Sequence, residues 1–183
     1  ELVAQLKGDI SGTLKLGIIP TLAPYLLHRF IRRFLDKYPN VKLEVQEMVT
    51  EEVVKRLKND ELDLGIIVTP LDEQGILEKP MFYEKFYAYF SKDHELLKEK
   101  EIRPEQLKKE ELWVLQQGHC FRDQALSFCK LQAAAPREVM DGSSLTTLVQ
   151  MVGAGIGVTL IPEMAVAVET RLAPVAVTRF AAP

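Results

Sequence analysis

The sequence predicts an α/β fold of two Rossmann-like units, residues 12–82 and 83–183, which together suit a two-lobed binding fold with a cleft. Three observations predict it. From Gly12 to Val68, short alternating or apolar runs take turns with longer runs of helical spacing, in the order β-α-β-α-β. After Tyr83 a further set of short apolar runs follows, with its own helices. The 183 residues are 47% apolar and 27% charged, enough to fill a core for one large or two small domains.

Thr13-Leu14-Lys15-Leu16-Gly17-Ile18-Ile19 alternates and then runs apolar, as a buried strand does. Leu22, Leu26, Leu27, Phe30, Ile31, Phe34 and Leu35 keep helical spacing; Thr21 is the expected N-cap, and Pro24 is tolerated in the first turn. Val41, Leu43 and Val45 form a second strand. Thr50 then caps a helix with Glu51 and Glu52 in its first turn, where acids favour the macrodipole. Residues 62–68 are the third strand. This order predicts a parallel sheet with any ligand at the carboxyl ends of its strands. Read alone, Thr21 and Thr50 are helix caps; both also fall where a strand gives way to a helix and can face one cleft.

Further strands are expected near 77–83 and 86–90. Pro104 starts a short helix, and residues 112–115 form a short strand. A strand over 137–140 precedes a helix capped by Ser143 or Ser144 and ended by Gly153-Ala154-Gly155. Strands over 156–161 and 174–177 close the chain. Residues 1–11 read as the end of a linker helix.

Several classes are excluded. Net charge is −3, which gives no general drive towards nucleic acid or anionic membrane. No apolar run approaches the ~18 residues of a membrane span. Gly153-Ala154-Gly155-Ile156-Gly157 lies between a helix and a strand, the wrong context for a dinucleotide fingerprint. There is no Cys-x-x-Cys, Gly-x-Ser-x-Gly or phosphate-binding loop. Arg29, Arg32 and Arg33 fit an exposed helix face, and His28 and His94 lack partners at ligand spacing. No cofactor or metal is expected. Two cysteines without a secretory signal fit reduced thiols in a cytoplasm.

Both cysteines lie in Gly118-His119-Cys120-Phe121-Arg122-Asp123-Gln124-Ala125-Leu126-Ser127-Phe128-Cys129, which reads as a turn running into a helix. Nine helical steps put the two Cα atoms ~13 Å apart, while a disulfide needs them within ~7 Å. If the two thiols react with each other, the segment therefore has two structures. Cys120, at the positive end of the helix with His119 and Arg122 nearby in sequence, is the better thiolate and attacking group; Cys129 is the resolving one. Two unrelated small core residues remain the plainer alternative.

Ser11-Gly12-Thr13-Leu14-Lys15-Leu16-Gly17-Ile18-Ile19-Pro20-Thr21, Tyr38-Pro39-Asn40-Val41 and Leu62-Asp63-Leu64-Gly65-Ile66 resemble the effector-binding domain of LysR-type transcriptional regulators. So does residues 151–162, Met151-Val152-Gly153-Ala154-Gly155-Ile156-Gly157-Val158-Thr159-Leu160-Ile161-Pro162. The cysteine segment resembles the peroxide-sensing members of that family. The resemblance implies a periplasmic-binding-protein-like fold, a homodimer or tetramer, and a regulator rather than an enzyme. Cys120 is then the peroxidatic cysteine and Cys129 its resolving partner. Thr21, Thr50 and His119 bind hydrogen peroxide, with Arg122 and Asp123 in support. Oxidation gives a sulfenic acid and then a Cys120–Cys129 disulfide; the helix unwinds, the dimer rearranges, and transcription changes. Closing a loop of about ten residues restricts the chain by about 2–3 kcal/mol, comparable to the packing of a short helix. DNA and RNA polymerase are reached through the full-length protein, and thioredoxin- or glutaredoxin-type reductants reset the thiols.

Two other readings stand beside this one. A LysR-type domain could bind a small organic anion in the cleft, with incidental cysteines. A turnover thiol peroxidase would need a reductant site that the sequence does not display. The family's winged helix-turn-helix is not in the chain, and its usual C-terminal strand and helix, which return to the first lobe, are expected beyond Pro183.

Overall fold

The computed structural model describes residues 10–71, 73–107, 112–116, 118–129, 137–138, 144–172 and 175–180. The linker helix expected over residues 1–11 therefore lies largely outside the described residues, as do Ser143, Met140 and Pro174. The chain divides into two compact units, Glu1–Pro80 and Met81–Pro183.

The first unit is built as its alternation requires. Strand β1 (Gly12–Ile18) lies between β2 (Val41–Glu47) and β3 (Leu64–Ile66), all parallel. The crossovers are helices α1 (Ala23–Lys37) and α2 (Thr50–Lys58). Parallel pairing forces such crossovers, and each returns the chain to the start of the next strand. Two glycines set how closely α2 approaches the sheet. A Cβ on Gly65 would stand 2.5 Å from Val53 Cγ1, and one on Gly17 would stand 2.7 Å from Leu62 Cδ1. Val53, buried on α2, therefore fills space that a side chain at Gly17 or Gly65 would take.

Two expectations fail here. Leu22, not Thr21, occupies the N-cap of α1, and no side chain caps that helix. Thr50 is the first residue of α2, whose N-cap Val49 is extended and likewise makes no side-chain cap. Neither threonine serves as the plain helix cap that its position suggested. The expected strand near 77–83 is also not formed: Leu77, Met81, Phe82 and Tyr83 are exposed, and Pro80 withholds a ladder donor among them.

The second unit carries β4 (Phe86–Ser91), β5 (Glu101–Ile102), β8 (Val158–Pro162) and β9 (Val175–Phe180) in one sheet, in the order β5-β9-β4-β8. β4 pairs antiparallel with both β8 and β9, so strand direction is mixed here. Ala88, Tyr89 and Phe90 of this central strand are fully buried. A smaller parallel pair joins β6 (Trp113–Val114) to β7 (Arg137–Glu138). It is tied to the main sheet by the Leu112–Val158 bridge and by Thr159, whose hydroxyl donates to the Trp113 carbonyl at 2.9 Å.

Helix α3 (Cys120–Phe128) forms over the segment read as helical. Helix α4 (Leu145–Gly153) is capped by Ser144, whose hydroxyl accepts from Thr147 N at 3.2 Å, and ends before Gly155 at φ +92°. Helix α5 (Glu163–Leu172) was not expected. Its start is anchored by the lead into β4: Glu163 N donates to Lys85 O at 3.0 Å, and Met164 N to Glu84 Oε1 at 2.6 Å. The Glu84 carboxylate thereby supplies the capping acceptor that local sequence does not.

Candidate functional site

α3 carries both cysteines at its limits. Gly118 takes φ +96°, which the absence of a Cβ permits, and turns the chain into the helix. His119 is the extended N-cap residue, and its carbonyl accepts from Arg122 N at 2.9 Å. Cys120 is the first helical residue and is half-buried. Its sulfur therefore sits where the unsatisfied amides of the first turn place partial positive charge. Burial lowers the pKa of His119 below its ordinary 6.5, so at neutral pH its imidazole is uncharged. The helix end remains as a positive influence on Cys120, and Arg122 lies two residues on in the same turn. Arg122 Nη1 lies 3.7 Å from Asp123 Oδ1, and Asp123 is exposed, so this is a weak ion pair.

Cys129 has the opposite surroundings. It is the C-cap of α3, with its amide donating to Ala125 O at 3.1 Å, and is only 4% exposed. Burial, with the Glu105 carboxylate adding to it, pushes its thiol up to about 11. The two cysteines are thiols, and the helix between them is intact. By helix geometry their Cα atoms are ~13 Å apart.

Sequence reasoning missed what holds this helix down. Phe121 is 5% exposed, and its ring meets Phe86 of β4 edge-on at 5.4 Å. Phe128, two helical turns further on, meets the same Phe86 at 5.6 Å and Phe180 of β9 at 4.7 Å. Phe121 and Phe128 are seven residues apart and so share a helix face, which was legible. Their partners, far away in the chain, were not. Glu105, on the short 3-10 turn Pro104–Gln106, is the other unforeseen neighbour.

Thr21 and Thr50 belong to the first unit. They follow β1 and β2, adjacent strands of one sheet, so both stand at its carboxyl edge. Met48 N donates to Ile18 O at 3.0 Å and holds the two strand ends together. Thr21 is buried. Thr50 Oγ1 is buried and has no hydrogen-bond partner among the described residues. A buried hydroxyl without a partner costs free energy unless something supplies one. His28 and His94 are accounted for locally. His28 Nδ1 faces Pro24 O, and His94 stacks on Phe90 while accepting from Leu96 N. Among the described residues no helix is long and apolar enough to cross a membrane.

Comparison with known proteins places this geometry in context. The model of the LysR substrate binding domain matches residues 7–183. A protein of Streptomyces viridosporus described as "Probable hydrogen peroxide-inducible genes activator" is 39% identical over all of this chain and 59% of its own length. The DNA-binding transcriptional dual regulator OxyR of Escherichia coli is 33% identical over 93% of this chain and 56% of its own length. The chain thus spans less than two thirds of these curated relatives. The solved reduced form of the OxyR regulatory domain from Pseudomonas aeruginosa superposes with a TM-score of 0.85 at 36% identity, covering 96% of this chain and 83% of that one. These neighbours share the mixed α/β, periplasmic-binding-protein-like fold class that the sequence predicts.

Proposed function

Because the chain belongs to the LysR substrate binding domain family, we propose that it is the regulatory part of a transcription factor that senses hydrogen peroxide. One observation carries the reading: the two thiols bracket a single short helix, with Cys120 opening it and Cys129 ending it. Similarity to peroxide-inducible activators along nearly the whole chain supports it.

In the first step the Cys120 thiolate attacks one peroxide oxygen. The S–O bond forms, the O–O bond breaks, and the leaving hydroxide takes a proton to become water. Sulfur is oxidised to the sulfenic acid and peroxide is reduced. In the second step Cys129 sulfur attacks Cys120 sulfur. The S–S bond forms, the S–O bond breaks, and the Cys129 proton leaves with the hydroxide as a second water. The ~13 Å separation means that α3 unwinds before or during this step. Thr21, Thr50 and His119 are the peroxide-binding groups of this reading; the neutral imidazole can both accept and donate, and the partnerless Thr50 hydroxyl has bonding capacity to spare. Arg122 and Asp123 support Cys120.

The remaining roles rest on the same reading. The chain acts as a homodimer or tetramer in the cytoplasm, reaches DNA and RNA polymerase through its full-length protein, and is reset by thioredoxin- or glutaredoxin-type reductants. The partnerless Thr50 hydroxyl also favours a second reading, a small organic anion held at the carboxyl edge of the first sheet.

Mass spectrometry after one equivalent of hydrogen peroxide tests the proposal. The native chain should lose two hydrogen atoms, Cys129→Ser should accumulate a trappable sulfenic acid, and Cys120→Ser should react little. Three proteins that all stay reduced over minutes would defeat it, and thermal shifts with organic anions would then test the second reading.

A further inference from the structure

Within the redox reading, on which this inference rests, the disulfide step needs α3 to open. The ring contacts say what resists that. Phe86 of β4 touches both Phe121, in the first turn of α3, and Phe128, its last residue, while Phe180 of the neighbouring strand β9 also meets Phe128. We propose that Phe128, held against Phe86 and Phe180, is a positioning residue that keeps the resolving thiol away from Cys120 and so sets the rate at which the disulfide closes.

Chain geometry makes the clamp decisive. While Cys120 stays at the start of α3 and Phe128 stays among its rings, their Cα atoms remain ~12 Å apart. Cys129 is the next residue, with its Cα ~3.8 Å from that of Phe128. Even pointed straight back, it leaves a gap of ~8 Å, beyond the ~7 Å limit for a disulfide. Either Cys120 has to leave the start of the helix or Phe128 has to leave its rings. Phe121 is 5% exposed and Phe128 is 36% exposed, so the C-terminal end, at the rim of the cluster, gives up less buried surface. Its release also breaks the Cys129 amide bond to Ala125 O. Opening at Phe128 therefore delivers Cys129 and leaves Cys120 in place to receive it.

The test separates two rate constants. The chain is mixed with hydrogen peroxide, quenched with an alkylating reagent at successive times, and analysed by mass spectrometry. Sulfenic acid formation is second order, and closure is first order. Phe128→Ala is expected to raise the closure constant at least tenfold, about 1.4 kcal/mol of barrier, with sulfenic acid formation within twofold of the native value. Phe128→Tyr, which keeps an aromatic ring, should close at nearly the native rate. Phe180→Ala removes one ring of the clamp without touching α3 and should speed closure in the same direction, which guards against a fold defect peculiar to the helix variant. Closure constants unchanged in both alanine variants would overturn the clamp while leaving the peroxide reading intact. A native chain that forms no sulfenic acid would defeat the peroxide reading itself, and the clamp's role with it.

Discussion

The burial of Cys129 gives a prediction whose size follows from the structure. Its thiol, ordinarily near 9.0, is pushed up to about 11 by burial and by Glu105. Unfolding restores the ordinary value, so ionised Cys129 favours the unfolded or unwound chain. The full contribution of the buried thiol is present below pH 9 and is lost as pH rises through 11. An interval of about two pH units is worth about 3 kcal/mol at ~1.36 kcal/mol per unit. The perturbation is Cys120→Ser, which leaves Cys129 as the single thiol. Thiolate absorbance should titrate near 11 in the folded protein and near 9 in urea. At pH 7 the thiolate fraction should be lower in the folded form by about a hundredfold, with alkylation slowed at least as much. Urea stability of Cys120→Ser should fall between pH 9 and 11 by up to about 3 kcal/mol more than that of Cys120→Ser/Cys129→Ala. Glu105→Gln should bring the titration part of the way back. A folded-state titration at or below the urea value, or two stability curves that coincide through pH 11, would refute the reasoning.

Gly65→Ala should destabilise by about 1–3 kcal/mol, because its Cβ would stand 2.5 Å from Val53 Cγ1; adding Val53→Ala should recover part of that loss in urea melts. Thr50→Val should leave stability equal or raise it by about 1 kcal/mol, since it removes a buried hydroxyl without a partner. If Thr50 binds peroxide as proposed, the same change should slow Cys120 oxidation in stopped-flow measurements. Ser144→Ala should cost about 1 kcal/mol through the lost cap on Thr147 N, read by chemical denaturation.

The first unit was legible because each of its elements announces itself locally. β1 alternates, and α1 keeps helical spacing over four turns. What sequence misread there was capping. Thr21 and Thr50 have the right side chains at nearly the right places, yet no side chain caps either helix. α5 was missed for a related reason. Ala165, Val166, Ala167 and Val168 have little periodic contrast, and the acceptor that starts the helix, Glu84, comes from about eighty residues away. In the candidate site, the helix and its two limiting cysteines could be read from spacing. The rings that hold it could not, because Phe86 and Phe180 reach Phe128 only through the sheet. The burial of Cys129 and its approach to Glu105 are likewise tertiary facts.

The central place of β4 bears on how such a segment returns. Because β4 is paired on both edges and buried through Ala88, Tyr89 and Phe90, its amides should exchange with solvent deuterium only through global opening. Those of α3 need only a local one. The helix and the strand beneath it thus belong to different cooperative units. If the Cys120–Cys129 disulfide forms as proposed, its reduction leaves nine residues to coil back onto a strand that stayed paired, an event on the scale of helix formation, microseconds or less. Recovery of the resting form is then governed by how fast the S–S bond is cut, and the protein keeps no memory of its oxidation once that bond is gone.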